Sequence, residues 1–115
     1  MAAQTSSKKV TLRHATTRQA LASIREHGLL VSKADRTAKI KAVWLHAPSL
    51  TGWAIVHTQR KHHAHLDEVV VIEVQVARKH LRRFKTGFWF CGEDIPATAL
   101  GQVWDGAFFG QSVSE

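Results

Sequence analysis

The chain has 115 residues, of which 44% are apolar and 22% are charged, and this balance is typical of one globular domain with its own core. A single cysteine, Cys91, excludes an internal disulfide framework and a cysteine-rich zinc site. Sixteen Lys and Arg against nine Asp and Glu give a net charge of +7. That excess favours an anionic partner, nucleic acid first, with a charge that serves solubility alone as the alternative.

The sequence contains no sign of a membrane segment. Its apolar runs are all shorter than the roughly 20 residues that span a bilayer, and residues 1–10 lack the apolar centre of a secretory signal. We therefore expect a cytoplasmic protein that does not bind membranes. Residues 1–7 are expected to form a flexible tail, and residues 8–115 a single domain.

The first elements in the chain are a strand and a helix. Apolar and polar side chains alternate over residues 8–14, which predicts a short strand. A helix over residues 17–27 follows, because Thr16 and Gln19 match a capping box and Gly28 supplies a stop at the end. Residues 31–41 are polar, and we expect a loop or a poor helix there.

The middle of the chain contains its most apolar stretch. Residues 43–46 predict a strand, a second helix opens at Pro48, and residues 60–67 read as a charged connector. The sequence "EVVVIEVQV", residues 68–76, predicts a central strand that is buried on both faces.

The last third predicts two more strands. A basic stretch precedes the sequence "FWF", which predicts a strand, and "IPATAL" is typical of a turn or a 3-10 segment. The sequence "GQVWDG" predicts the final strand. The order β-α-β-α-β-β-β predicts an α+β domain with a curved mixed sheet and two helices.

The spacing of several short motifs is similar to that of a known fold. "LRHATT", "SIREHGLL" and "AVWLHAPS" resemble the opening of the ADP-ribosyltransferase fold, where a strand ending in His, a small residue and Thr leads into a helix ending in Gly-Leu. "QRKHH", "VVVIEV" and "GFWFCGEDIPATAL" extend the resemblance to the NAD-dependent RNA 2′-phosphotransferase family, over residues 12–103. The resemblance implies an ADP-ribosyltransferase-like curved mixed or antiparallel sheet with two helices, and NAD as co-substrate.

The chain also departs from that family. The phosphotransferases carry an additional N-terminal lobe, and Ala15 stands where they have glycine. Phe88 occupies the late-strand position at which many ADP-ribosyltransferases have a glutamate, and Glu93 lies too near the predicted turn to replace it. Since the phosphotransferases do not depend on that glutamate, the resemblance implies a nucleic-acid acceptor.

The resemblance assigns NAD binding to His14 and Thr16. A strand end beside a helix start suits a phosphate-bearing ligand, because free amides point outward there. The alternative is that His14 is an ordinary turn residue and Thr16 only a helix cap. His46 and Trp89 are further candidate NAD contacts, with Trp89 or Phe88 stacking on the nicotinamide or a base; otherwise these residues, like most of the tryptophans, belong to the core.

Two arginines complete the predicted catalytic set with His14. Arg60 lies in "HTQRKHHAH", where the family carries an Arg-His pair that meets the phosphates, and Arg36 precedes the second strand, where the family has an arginine. Guanidinium groups bind phosphate bidentately. A solvated connector and a solvated loop are the alternatives. The nearby histidines lack the spacing of a zinc site, so no metal is expected.

A run of cations follows the apolar central strand. The candidate nucleic-acid contacts in it are Arg78, Lys79, Arg82, Arg83 and Lys85. A basic edge between strands is the alternative. Together these features predict an NAD-binding transferase that acts on RNA or DNA, by RNA 2′-phosphate transfer or by ADP-ribosylation of the nucleic acid. The alternatives are a non-catalytic basic domain that binds nucleic acid or protein, and a toxin or effector that ADP-ribosylates protein through Glu93.

Overall fold

The structure is a computed structural model that describes residues 8–34, 36–37 and 40–113. The predicted tail, residues 1–7, lies outside the described residues. In chain order the strands are β1 (Lys9–Thr17), β2 (Arg36–Thr37), β3 (Ile40–Lys41), β4 (Val43–His46), β5 (Val69–Ala77), β6 (Leu81–Lys85), β7 (Phe88–Cys91) and β8 (Leu100–Asp105). The helices are α1 (Arg18–His27), α2 (Thr51–His62) and α3 (Gly106–Val113).

The strands form an antiparallel sheet in the order β6-β7-β4-β1-β5-β8, while β2 and β3 pair separately with each other. Helices and an antiparallel sheet packed together confirm the predicted α+β class. Strands 43–46 and 100–105 lie where the sequence predicted strands. Within the described residues the fold also contains a helix that was not predicted, α3, which follows β8 directly.

Strand β5 is an inner strand, second from one edge of the sheet, and its first half has buried apolar side chains on both sides, as predicted. Ile72 and Val74 pack on one face in a core cluster with Ile24 of α1. Val69 and Val71 pack on the other face with Ile55 of α2. The two helices therefore cover opposite faces of the sheet, while Gln75, further along the α2 face of β5, is exposed.

The corner after β1 differs from the predicted capping box. Thr16 is still in the strand, paired with Val70 of β5, and Thr17 is the N-cap residue of α1 without a side-chain cap hydrogen bond. Ladder pairing with β5 continues three residues past His14, so Thr16 is extended strand and cannot be the cap of the helix. At the other end, the predicted stop at Gly28 is confirmed, with φ at 83° and its N–H donating to the Ile24 carbonyl.

Two basic stretches have more regular structure than the sequence predicted. The predicted connector at residues 60–67 is wrong at its start, because Arg60, Lys61 and His62 form the last turn of α2. The basic run after β5 contains the strand β6, which lies at the edge of the sheet with mostly exposed side chains. An edge strand rich in cations has no apolar alternation by which it can be found, and charge at an edge discourages unwanted strand pairing.

Candidate functional site

The sheet is split between β1 and β4. These neighbouring strands pair at Arg13 and His46. Beyond that pair, residues 14–17 continue to pair with β5, and residues 43–45 continue to pair with β7. A cleft of about 470 Å³ opens where the two strands separate, and side chains from β1, α1, β4 and α2 line it. Its volume is within the range of small-molecule sites.

His14 lies at the start of the split and connects its two sides. Its Nδ1 is 2.8 Å from the backbone carbonyl oxygen of Trp44 on β4. Because a carbonyl oxygen only accepts, the proton of this hydrogen bond is on Nδ1. In the uncharged ring Nε2 is then the acceptor atom. Thr16, two residues further along β1, also lines the cleft.

His46 lies deeper, with 4% of its surface exposed. Burial lowers the pKa of its imidazole from the usual 6.5 to about 4, with further lowering by the neighbouring His14 and Arg13. The ring is therefore uncharged at neutral pH, since desolvation penalises the imidazolium form. It also lines the cleft.

Two buried polar atoms in the described part of the chain have no hydrogen-bond partner: Trp44 Nε1 and His46 Nε2. Both residues line the cleft. Buried polar side-chain atoms are usually hydrogen-bonded, and exceptions call for an explanation. The wall of the cleft at β4 therefore contains two polar atoms that the protein itself leaves unsatisfied.

The charge of the cleft is positive. Lys33, Lys61 and Lys85 are part of its lining, and the lining residues among those the structure describes include no aspartate or glutamate. The described residues also contain no cluster of His, Cys, Asp and Glu that could hold a metal ion. The arrangement therefore suits an anionic ligand bound by lysines and polar side chains.

One rim of the cleft is aromatic. Trp53 stacks on His57 with ring centroids 4.9 Å apart and the planes within 9°, and it meets Phe88 edge-on at 4.8 Å. Trp53 is 55% exposed, so the expectation that the tryptophans belong mostly to the core is wrong for this one. Phe84 and Trp44 make a second edge-to-face pair, at 5.1 Å, in the same lining.

The structure brings some predicted site residues together and separates others. His14, Thr16 and His46 line the cleft. Arg60 is exposed on α2 and is not part of the lining. The side chain of Arg36 lies outside the described residues.

Of the two aromatic candidates on β7, Phe88 lines the cleft and Trp89 does not. Trp89 packs against the core cluster on the other face of the sheet, because consecutive strand residues point to opposite faces. Glu93 is exposed as predicted, with its carboxylate 3.6 Å from His80 Nε2, and it too lies outside the lining.

The predicted nucleic-acid contacts are exposed on two adjoining segments. Arg78 and Lys79 lie in the turn after β5, while Arg82, Arg83 and Lys85 lie on the edge strand β6. The five cations therefore form a solvent-facing group. Of the five, Lys85 also lines the cleft, which connects this surface with the site.

Sequence reasoning missed Trp53, His57 and Lys61 as a unit. All three line the cleft, and they follow one another at intervals of four on α2. Residues four apart lie on the same face of a helix. A tryptophan, a histidine and a lysine at that spacing on one helix were the available signal.

Comparison of the sequence with family models and with curated proteins finds no match. Within the described residues, no helix is long and apolar enough to cross a bilayer. The cleft and the residues that line it are therefore the features from which a function can be inferred.

Proposed function

We propose that this protein is an NAD-binding transferase that acts on nucleic acid. The observation that carries the proposal is the cleft at the split between β1 and β4, where His14 and Thr16 meet lysines and aromatic rings and where the described lining has no carboxylate. This is the place in the chain at which the resemblance to the RNA 2′-phosphotransferases puts NAD.

The cleft matches the chemistry of a dinucleotide. Lys33 and Lys61 supply positive charge for a pyrophosphate. Phe88, the candidate on β7 that lines the cleft, offers an aromatic ring to the nicotinamide. His14, whose Nδ1 is held by the Trp44 carbonyl, presents a fixed ring to the nicotinamide-side ribose, the role that the resemblance implies for it.

The composition of the cleft also favours one kind of acceptor. An alcohol acceptor needs a base to remove its proton as it attacks, and since the described lining contains no carboxylate, only a histidine could take that proton. A phosphate oxygen is already an anion. It attacks C1″ of the nicotinamide ribose, the bond from C1″ to the ring nitrogen breaks, and nicotinamide leaves with that electron pair as a neutral molecule. Positive charge develops on the ribose as that bond breaks; fixed dipoles stabilise it, while the cations hold the phosphates in place.

Binding is tested by titrating NAD into the protein in a calorimeter. His14→Ala is expected to weaken binding at least tenfold, about 1.4 kcal/mol. His14→Asn preserves a donor close to the position of Nδ1 and is expected to weaken binding similarly while leaving the β1–β4 contact in place. His27→Ala, at an exposed histidine outside the cleft, is the matched control. A wild-type titration without saturable heat would refute the proposal.

The reaction is tested by measuring free nicotinamide after incubation of the protein with NAD and an acceptor. RNA with a 2′-phosphate is expected to stimulate release, and the same RNA without the phosphate is not. Release with a protein acceptor alone would indicate a protein-modifying enzyme. NAD binding without release on any acceptor would indicate the non-catalytic alternative, which the absence of a carboxylate from the described lining also favours.

A further inference from the structure

Trp53 is an exposed tryptophan at the rim of a charged cleft. More than half of its surface is open to solvent. We propose that Trp53 is the stacking platform for an unpaired base of single-stranded nucleic acid, which passes over the rim of the cleft. The proposal rests on the proposed function for the identity of this strand as the acceptor, and it names the subsite that holds it.

The exposed apolar residues of the described chain are not scattered evenly. Trp53, Val56, Phe84 and Phe108 are the large apolar residues that are most exposed. The two aromatic residues Trp53 and Phe84 line the same cleft, one from α2 and one from β6. Exposed aromatic rings that share one concave surface are typical of a binding site.

The Trp53 ring is held in place before any ligand arrives. His57 lies parallel to it at 4.9 Å, and Phe88 meets it edge-on at 4.8 Å. A ring that is already oriented loses little freedom when a ligand stacks on it. These contacts therefore make Trp53 a rigid platform, although most of its surface is in solvent.

Cations accompany the aromatic rings. Lys61 lies on the same face of α2 as Trp53, and Lys85 is the neighbour of Phe84 on β6. Arg82 is paired with Phe90, which is paired with Trp44, so that Arg82 is on the same face of the sheet as Trp44. A groove with phosphate-binding cations and exposed aromatic rings is the arrangement by which proteins bind single strands.

The same features select against other ligands. The bases of a duplex are stacked on each other and cannot lie on a side chain without being unpaired. An acidic peptide would satisfy the cations and would leave the rings without planar partners. A single strand uses both the positive charge and the flat surface, and for that reason it is the occupant that the observations favour.

The test measures the binding of a fluorescently labelled oligouridine of ten nucleotides by fluorescence anisotropy, in the absence of NAD. Stacking on an aromatic side chain contributes enough affinity that Trp53→Ala is expected to weaken binding about 5- to 100-fold. Trp53→Phe, which preserves a ring, is expected to bind within about threefold of wild type. Phe108→Ala is the matched control, because Phe108 is 59% exposed and is not part of the cleft lining. Circular dichroism establishes that each variant is folded.

Several outcomes would overturn the inference. One is that Trp53→Ala binds oligouridine as tightly as wild type does. The others are that wild type binds a blunt duplex as tightly as oligouridine, or binds a polyglutamate peptide more tightly than oligouridine. Calorimetry with NAD separates this inference from the proposed function. Loss of oligouridine binding in Trp53→Ala with NAD binding intact supports the platform, and loss of NAD binding alone would assign Trp53 to the dinucleotide. If wild type binds oligouridine through Trp53 but does not bind NAD, the proposed function fails and the platform stands.

Discussion

Arg13 and His46 face each other where β1 and β4 meet, and among the described residues they are the pair at which these two strands join. Arg13 is held from the other side, because its Nη1 donates to Thr51 Oγ1 at 3.1 Å and its guanidinium lies 4.5 Å from the ring of Trp104. The positive charge so fixed lies beside His46 and helps to keep that imidazole uncharged. Arg13 and His46 thus mark the end of the contact between β1 and β4, and the charge of Arg13 also lowers the pKa of His46 at the base of the cleft.

The lowered pKa of His46 makes stability depend on pH. The pKa is about 4 in the folded protein and 6.5 in the unfolded chain, so the unfolded chain takes up the proton first as the pH falls. The resulting loss of stability begins near pH 6.5 and is complete near pH 4, and it reaches about 3 kcal/mol. Urea unfolding at pH 7.5 and pH 4.5 measures this loss for wild type and for His46→Gln. Between these pH values the free energy of unfolding of His46→Gln is expected to fall by about 3 kcal/mol less than that of wild type. Equal losses in both proteins would contradict the pKa shift.

Gly28 ends α1 with φ at 83°, beside the backbone of the segment that follows β7. A Cβ at this position would collide with backbone atoms of Ile95, Pro96 and Ala97. Gly28→Ala is therefore expected to destabilise the protein by about 2–4 kcal/mol, since both the clash and the backbone conformation oppose it. Gly52→Ala is the control: nothing lies within 4 Å of its Cβ, and alanine stabilises a helix by up to about 1 kcal/mol. Thermal unfolding of the two variants should shift in opposite directions.

Lys61 and Arg60 are neighbours on α2 with different relations to the cleft. Lys61 lines it and Arg60 does not. Lys61→Gln is expected to weaken NAD binding roughly fivefold, about 1 kcal/mol, as is usual for an exposed charge interaction. Arg60→Gln should leave the affinity unchanged, in contrast to the catalytic role that the sequence suggested for it. Calorimetry at low salt compares the two, and a larger effect at Arg60 would restore that role.

Glu93 tests whether the missing late-strand glutamate has been replaced. Its carboxylate is exposed beside His80, outside the cleft, while Phe88 lines the cleft at the position that the resemblance aligns with the late-strand glutamate of many ADP-ribosyltransferases. Glu93→Gln is expected to leave the rate of nicotinamide release within about threefold, under 0.7 kcal/mol in barrier. A collapse of the rate would identify a glutamate-dependent transferase and would remove the argument for a phosphate acceptor.

The exposed cations after β5 and on β6 are expected to contribute to the salt dependence of binding. For single-stranded nucleic acid, each lost phosphate contact reduces the slope of log K against log salt by roughly 0.7. Replacing Arg82 and Lys85 with glutamine should reduce the slope by more than replacing Arg78 and Lys79, because Lys85 also lines the cleft. Arg25→Gln, on the exposed side of α1, serves as a control. An unchanged slope in the variant without all five cations would leave this surface as a solvated edge.

Much of the framework was readable from the sequence. Strand β5 could be predicted because an unbroken run of valine and isoleucine is stable only where both faces of a strand are covered. The end of α1 could be predicted because Gly28 adopts a backbone conformation that other residues avoid. Strand β6 was missed because its cations satisfy no apolar period. The helix α3 was missed because Asp105, a residue type that favours the position before a helix, was assigned to the final strand.

The site itself was decided by tertiary structure. The sequence placed His14 at the end of a strand, whereas the cleft exists because β1 and β4 separate after Arg13 and His46, a relation between residues 33 positions apart. Between Phe88 and Trp89 the sequence could not choose, because their environments depend on which face of β7 meets α2. Pairing of Phe88 with His46 settles that question. Side chains along a strand alternate between its two faces, so a register shift of one residue would exchange the core face for the cleft face. Only the pairing of the strands in the folded sheet fixes that register.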